Sequence, residues 1–209
     1  MMNQKNTLGL DYCFGDLENP TDLFKEWFNE AKKTEINDPN AFSLATCDKK
    51  GVPSVRIVLL KDFSNNGLVF YTNLNSKKSN DIKENPNGSI CFHWKSLLRQ
   101  IRITGKIFQV TDEEADEYYK TRSYGSRIGA WASKQSSILK SREELYDSIE
   151  IYKKKFKDEN KVPRPDHWSG WNLKPNTMEF WLDGENRIHQ RLKYSKKENG
   201  SWEKVLLSP

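Results

Sequence analysis

Leu23, Phe24, Trp27, Phe28 and Ala31 recur at the spacing of one helical face, so an amphipathic helix is predicted there. Pro20 suits its first turn, and Asp38-Pro39 breaks the pattern. Ala41 to Cys47 reads as a strand and Asp48-Lys49-Lys50-Gly51 as a hairpin turn. A second strand follows from Pro53 to about Asp62. Its apolar middle reads as buried, with Arg56 near its start and Lys61 near its end. Ser64-Asn65-Asn66-Gly67 is a second turn, and Leu68 to Thr72 a third strand. Strands joined by tight turns pair antiparallel, which points to a meander or Greek-key barrel.

Further on, Ser76 to Asn85 predicts a short helix stopped by Pro86, and Ser89 to Trp94 and Arg99 to Val110 predict strands. Thr111-Asp112-Glu113-Glu114 and Ser141-Arg142-Glu143-Glu144 have the form of capping boxes. The first opens a helix carrying Tyr118, Tyr119 and Arg122; the second opens one to about Lys157. After a Pro163-Arg164-Pro165 linker, Trp168 to Asn172, Met178 to Leu182, Ile188 to Tyr194 and Trp202 to Leu206 read as strands. The expectation is an α+β fold: an antiparallel barrel of eight or nine strands with four or five helices packed outside. Residues 1–18 are polar and are expected as a flexible or docked arm, with one domain over 19–209.

Composition narrows the function classes. The net charge of +5 favours anionic ligands weakly, and no basic block is long enough for a nucleic-acid arm. Cys13, Cys47 and Cys91 are odd in number and far apart, which argues against a disulfide framework and a zinc site, so no metal is expected. A cytoplasmic protein is the expectation, with no apolar signal segment at the start and no run of membrane-spanning length. Motifs for dinucleotides, P-loop phosphates, esterase serines and zincin metals are absent.

Four groups of residues could carry chemistry. A buried strand with Arg56 and Lys61 near its ends suits a bound anion, unless both cations reach out to water. In a strand, Arg187, His189 and Arg191 would share one face, either beneath an anion or as a polar edge that blocks aggregation. Tyr118, Arg122 and Ser126, at helical spacing of four, would suit a phosphate, or form an ordinary helix end. Gln135-Ser136-Ser137 and the Gln100–Arg102 pair are polar clusters that could meet a ligand.

Together, several stretches resemble one family, the pyridoxamine 5′-phosphate oxidases. They are Arg56-Ile57-Val58-Leu59-Leu60-Lys61, Phe70-Tyr71-Thr72-Asn73, Ser76-Lys77-Lys78, Arg99-Gln100, Ile128 to Ser137, Glu179-Phe180-Trp181 and Arg187-Ile188-His189-Gln190-Arg191. The resemblance implies a split-barrel homodimer with FMN at the subunit interface, and a C-terminal dimerisation and active-site segment over about 163–209. It implies that Arg56, Ile57, Val58, Leu59, Leu60, Lys61, Tyr71, Thr72, Lys77, Lys78, Gln100, Gln135, Ser136, Trp181 and Arg191 hold FMN. Lys61, Tyr118, Arg122 and Ser126 would hold the substrate phosphate. Arg187, Ile188 and His189 would lie at the substrate ring, with Asp38 as a further polar partner. The implied reaction oxidises pyridoxamine or pyridoxine 5′-phosphate to pyridoxal 5′-phosphate, with oxygen as acceptor. The alternatives are a related phenazine-type flavin oxidase and a flavin or pyridoxal phosphate carrier without turnover. Many family members carry an Arg-x-x-Tyr pair near the N-terminus that closes over substrate; Asn3 to Leu10 contains none, so the resemblance does not extend to that lid.

Overall fold

The fold is organised by one antiparallel sheet of nine strands. The computed structural model describes residues 5–209; Asn3 and Gln4, part of the stretch compared with the lid, lie outside them. Strands β1 (Ala41–Cys47), β2 (Pro53–Leu59), β3 (Asp62–Ser64), β4 (Gly67–Asn73), β5 (Asn87–Trp94), β6 (Arg99–Gln109) and β7 (Trp168–Leu182) run in the spatial order β2-β1-β5-β6-β7-β4-β3. Strands β8 (Gln190–Lys196) and β9 (Trp202–Leu206) extend the far end of β7.

The two ends of that order, β2 and β3, are joined by Leu60 and Lys61 alone. So short a link forces the sheet to roll until its outermost strands meet. Among the described residues no ladder closes the seam, because β2 pairs only with β1 and β3 only with β4. The result is an open, split barrel. The successive hairpins expected from the N-terminal turns therefore do not form one meander: β4 pairs with β7, not with β2.

Among the described residues, five helices cover the barrel: α1 (Pro20–Thr34), α2 (Lys77–Glu84), α3 (Asp112–Lys120), α4 (Tyr124–Ala132) and α5 (Arg142–Lys155). Helix α1 starts where the Asn19 side chain accepts from the Thr21 amide at 3.0 Å. Its predicted stripe is the buried one: Leu23, Phe24, Trp27, Phe28 and Ala31 are all in the core. Phe24 meets Phe63 of β3 and Phe92 of β5 edge-on, and Trp27 meets Phe180 of β7. One helix thus ties together strands from both halves of the sheet. Each such aromatic contributes about 1.5–3 kcal/mol through burial.

The described part of the N-terminal segment is anchored. Phe14 is fully buried, and Leu10 and Cys13 are nearly so. The Trp27 indole donates to the Cys13 carbonyl at 2.6 Å, and the Tyr194 hydroxyl donates to the Leu17 carbonyl at 2.9 Å. The Asp11 amide donates to the Gln190 side chain at 2.6 Å. Residues 5–18 therefore dock, because their few apolar side chains fall where α1 and β8 leave room.

Several elements differ from expectation. Strand β2 stops at Leu59 and is not buried: as an edge strand it leaves Val55 and Ile57 exposed on one face and turns Arg56 to the other. Trp168–Asn172 and Met178–Leu182 form one long strand, with a register shift opposite Thr104/Gly105 absorbing the irregularity. The helix opened by Thr111 ends at Lys120, and a new one begins at Tyr124 with Ser123 as its cap. The C-terminal strand starts at Gln190, not Ile188, because Asn186 and Arg187 adopt positive φ in a tight 3-10 turn. All three cysteines are free, and no helix among the described residues is long and apolar enough to cross a membrane.

Trp27→Ala should destabilise the protein by about 3–5 kcal/mol, since it empties a core site and removes the N-terminal anchor. Equilibrium urea denaturation measures the loss. A change below about 1 kcal/mol would show that α1 is not the tie described.

Candidate active site

At the seam of the barrel lies a cavity of about 670 Å³, within the usual range for a cofactor or substrate site. Strand β2 and the β2–β3 link supply Arg56, Ile57, Val58, Leu59 and Lys61; β4 supplies Tyr71 and Thr72, and α2 supplies Lys77 and Lys78. The α3–α4 region adds Tyr118, Arg122 and Ser126, and the following loop Gln135 and Ser136. The lining holds five cations and no carboxylate. Like charges gathered in one place are unfavourable unless an anion meets them, so the donor set fits a phosphate-bearing ligand.

Individual groups reinforce this reading. Arg122 is half-buried over the Trp168 ring, and its Nη1 is buried without a hydrogen-bond partner among the described residues. Burial lowers its guanidinium from the ordinary value. Lys78 is buried and donates to Thr72 Oγ1 at 3.1 Å and Ser76 Oγ at 3.2 Å. Burial, and then the charge of Arg56, brings its ammonium down to about 8. Tyr71 and Tyr118 stack at 4.0 Å between centroids, and the Trp168 ring lies near-parallel beside both, 5.4 Å from Tyr71 and 6.2 Å from Tyr118. Tyr71 faces Gly170 across the β4–β7 ladder, and a Cβ there would lie 2.7 Å from the Tyr71 ring. The glycine gives that ring its place.

Tyr118, Arg122 and Ser126 converge here, although not from one helix. The chain turns at Thr121–Ser123, and the Ser123 hydroxyl donates to Ser126 Oγ at 2.9 Å. Of the expected residues on the β2 stretch, Leu60 alone turns away, buried in the core. Trp168 was missed as a site residue. Its place depends on the Asn73–Trp168 pairing, which joins segments far apart in sequence and leaves no local signal.

Gln100, Trp181 and Arg191 are not in this cavity. They form a row across β6, β7 and β8, where Gln100 pairs with Trp181 and Trp181 with Arg191. Glu179, buried on β7, grips Arg191 Nε and Nη2 at 2.9 and 2.8 Å and also holds Arg102. The His189 ring lies 4.6 Å from Trp181, and its Nδ1 is 2.9 Å from Asp183 Oδ1. Arg187 and Ile188 are exposed in the turn before β8, so Arg187, His189 and Arg191 do not share a strand face. Asp38 lies in the turn before β1, with positive φ, and does not line the cavity. At about 3.3 Å per residue, β7 puts roughly 40 Å of strand between Trp168, at the cavity, and Trp181, in this second cluster.

Comparison with known proteins bears on the family. A model of the pyridoxamine 5′-phosphate oxidase family matches residues 28–154. A model of the pyridoxine 5′-phosphate oxidase C-terminal dimerisation region matches residues 168–209. Over 208 residues, 100% of both chains, this chain is 64% identical to a pyridoxine/pyridoxamine 5′-phosphate oxidase of Pelagibacter ubique. Its fold is similar to that of PhzG from Burkholderia lata, solved with tetrahydrophenazine-1-carboxylic acid: TM-score 0.88, 28% identity, 95% of this chain and 96% of the other. A pyridoxamine 5′-phosphate oxidase-related, FMN-binding protein from Nostoc punctiforme shares the fold at a TM-score of 0.74 and 16% identity, over 93% of this chain and 99% of that one.

Anion binding in the cavity should weaken as pH rises through about 8, where Lys78 loses its proton. Sulfate is a suitable probe because its own charge is constant over this range. Calorimetric titration of the ligand-free protein at pH 7 and pH 9 should show the weakening, and Lys78→Gln should flatten it. Equal affinity at both pH values would remove Lys78 from the anion site.

Proposed function

The chain belongs to the pyridoxamine 5′-phosphate oxidase family, and from that premise we propose a homodimeric FMN enzyme that oxidises pyridoxamine or pyridoxine 5′-phosphate to pyridoxal 5′-phosphate. The observation that carries the reading is the cavity lined by five cations and no carboxylate, with a buried, unpartnered Arg122 nitrogen. Two phosphates, one on the cofactor and one on the substrate, account for so many cations.

In this reading Arg56, Lys77, Lys78, Thr72, Gln135 and Ser136 hold FMN, and Ile57, Val58, Leu59 and Tyr71 wall its place. Lys61, Tyr118, Arg122 and Ser126 hold the substrate phosphate. When bound, FMN supplies the hydride acceptor and, once reduced, the electron donor to oxygen. The chain's own residues bind and orient. Fixing the phosphate of the substrate fixes the distance of its oxidised carbon from the flavin ring. With the amine, oxygen and water are consumed, and aldehyde, ammonia and hydrogen peroxide are released. With the alcohol, oxygen is consumed and aldehyde and hydrogen peroxide are released.

The division of the site supports the homodimer. Gln100, Trp181, Arg187, His189 and Arg191 lie at the far end of β7 from the cavity, and the dimerisation-region match covers most of that cluster. A two-fold partner would bring its own copy of the cluster to the cavity. There Gln100, Trp181 and Arg191 would complete the FMN site, and Arg187 and His189 would meet the substrate ring. Asp183 and the Gly184 amide, which donates at 3.3 Å, both lie at Nδ1 of His189, so Nε2 is the ring nitrogen left to meet the substrate.

Phenazine-type oxidation, suggested by the PhzG likeness, needs no substrate phosphate, so Arg122 discriminates between the two readings. Purified protein should be yellow and should release hydrogen peroxide from pyridoxamine 5′-phosphate in air; a flavin-free protein, or one inert toward both phosphorylated substrates, would sink the proposal. Arg122→Ala should raise the substrate KM by roughly 10- to 100-fold, the loss of a charge-assisted contact, with flavin content unchanged. Arg187→Leu should keep its FMN and lose about tenfold or more in kcat/KM, read by stopped-flow flavin reduction. A normal reduction rate in Arg187→Leu would return that residue to an exposed turn without function.

A further inference from the structure

Behind the cavity's cations lies a carboxylate that neither binding nor chemistry has used. Asp81, on α2, is almost wholly buried. The Lys77 ammonium donates to its Oδ1 at 2.7 Å, and the Thr46 hydroxyl donates to its Oδ2 at 2.7 Å. The Arg56 guanidinium lies 3.9 Å from Oδ2, while Arg56 Nη1 donates to Thr46 Oγ1 at 2.6 Å and to the Leu44 carbonyl at 3.1 Å. Thr46 has one proton to give. Spending it on Asp81 leaves the oxygen lone pairs for Arg56, so the order Arg56 to Thr46 to Asp81 is directional.

We propose that Asp81 is a positioning residue for the phosphate end of the cofactor, a claim that rests on the flavin reading of the cavity. Arg56, Lys77 and Lys78 crowd one side of the cavity and repel one another; burial, and after it the charge of Arg56, depresses the ammonium of Lys78. Lys77 is long and half-exposed, and without a fixed partner it would swing into solvent. The buried carboxylate holds both Arg56 and Lys77 by their far ends and aims them before a ligand arrives. Its own negative charge, however, works against an incoming phosphate. The two effects have opposite signs. Simple electrostatics makes Asp81→Asn bind FMN more tightly; positioning makes it bind FMN more weakly.

The experiment compares FMN with riboflavin, which lacks the phosphate. Flavin-stripped wild type and Asp81→Asn are titrated with each, following quenching of flavin fluorescence. FMN affinity should fall by about tenfold, as expected for one charge-assisted contact, while riboflavin affinity stays within about twofold. Thr46→Val, which removes the relay hydroxyl at nearly constant shape, should show the same selective loss, and it provides the test if Asp81→Asn does not fold. Unchanged or tighter FMN binding would overturn the proposal. Equal losses for both flavins would overturn it too, by assigning Asp81 to the fold alone. Wild type that binds neither flavin would bring down the flavin reading and this inference with it.

Discussion

The two-residue link between β2 and β3 is the constraint on which the rest of the structure depends. These strands stand at opposite ends of the sheet order, yet only Leu60 and Lys61 separate them in sequence. The sheet has to curl, and the curl creates both an interior for α1 to fill and a seam that backbone hydrogen bonds do not close. An unclosed seam leaves polar groups and side chains facing a gap. The cationic cavity forms in that gap. Leu60 and Lys61 divide the work between them: the first turns into the core and the second into the cavity.

Electrostatics in the cavity runs against the ordinary economy of a folded protein. Arg56, Lys61, Lys77, Lys78 and Arg122 gather with no carboxylate in the lining. The lowered Lys78 ammonium and the buried, unpartnered nitrogen of Arg122 mark the strain of that arrangement. Gathering these cations is a local cost to stability, and an anionic ligand turns the same cluster into a source of it. Asp81 and Thr46 hold part of the cluster in order from behind. Stacked Tyr71, Tyr118 and Trp168 give it a rigid wall.

What the sequence made legible was local. The α1 stripe, the turns at Asp48–Gly51 and Ser64–Gly67, and the Thr111 capping box need only a few neighbouring residues, and all are present in the fold. The cations near the β2–β3 link were legible for the same reason. What failed depended on geometry that a pattern does not carry. Four-residue spacing joined Tyr118, Arg122 and Ser126 in one helix, but the chain turns at Ser123, and tertiary packing restores the convergence. Two-residue spacing joined Arg187, His189 and Arg191, but the turn with positive φ at Asn186 and Arg187 leaves only Arg191 of the three in the strand. Trp168 was invisible as a site residue because strand register sets its position. The resemblance supplied residues from both ends of β7 as one set; their division within a single chain is legible only from topology.

The anchoring of the N-terminal segment sets a timetable for folding during synthesis. Leu17 waits for the hydroxyl of Tyr194, and Asp11 waits for the side chain of Gln190, so both partners lie near the other end of the chain. Ribosomes add roughly 5–20 residues per second. The segment holding Phe14 therefore leaves the ribosome about ten to several tens of seconds before those partners exist. During that interval its apolar side chains can rest on α1, where Phe14 meets Trp27 edge-on. A nascent chain stalled before β8 would expose them to chaperones and proteases, which makes the last strands the step that completes the fold around the first residues.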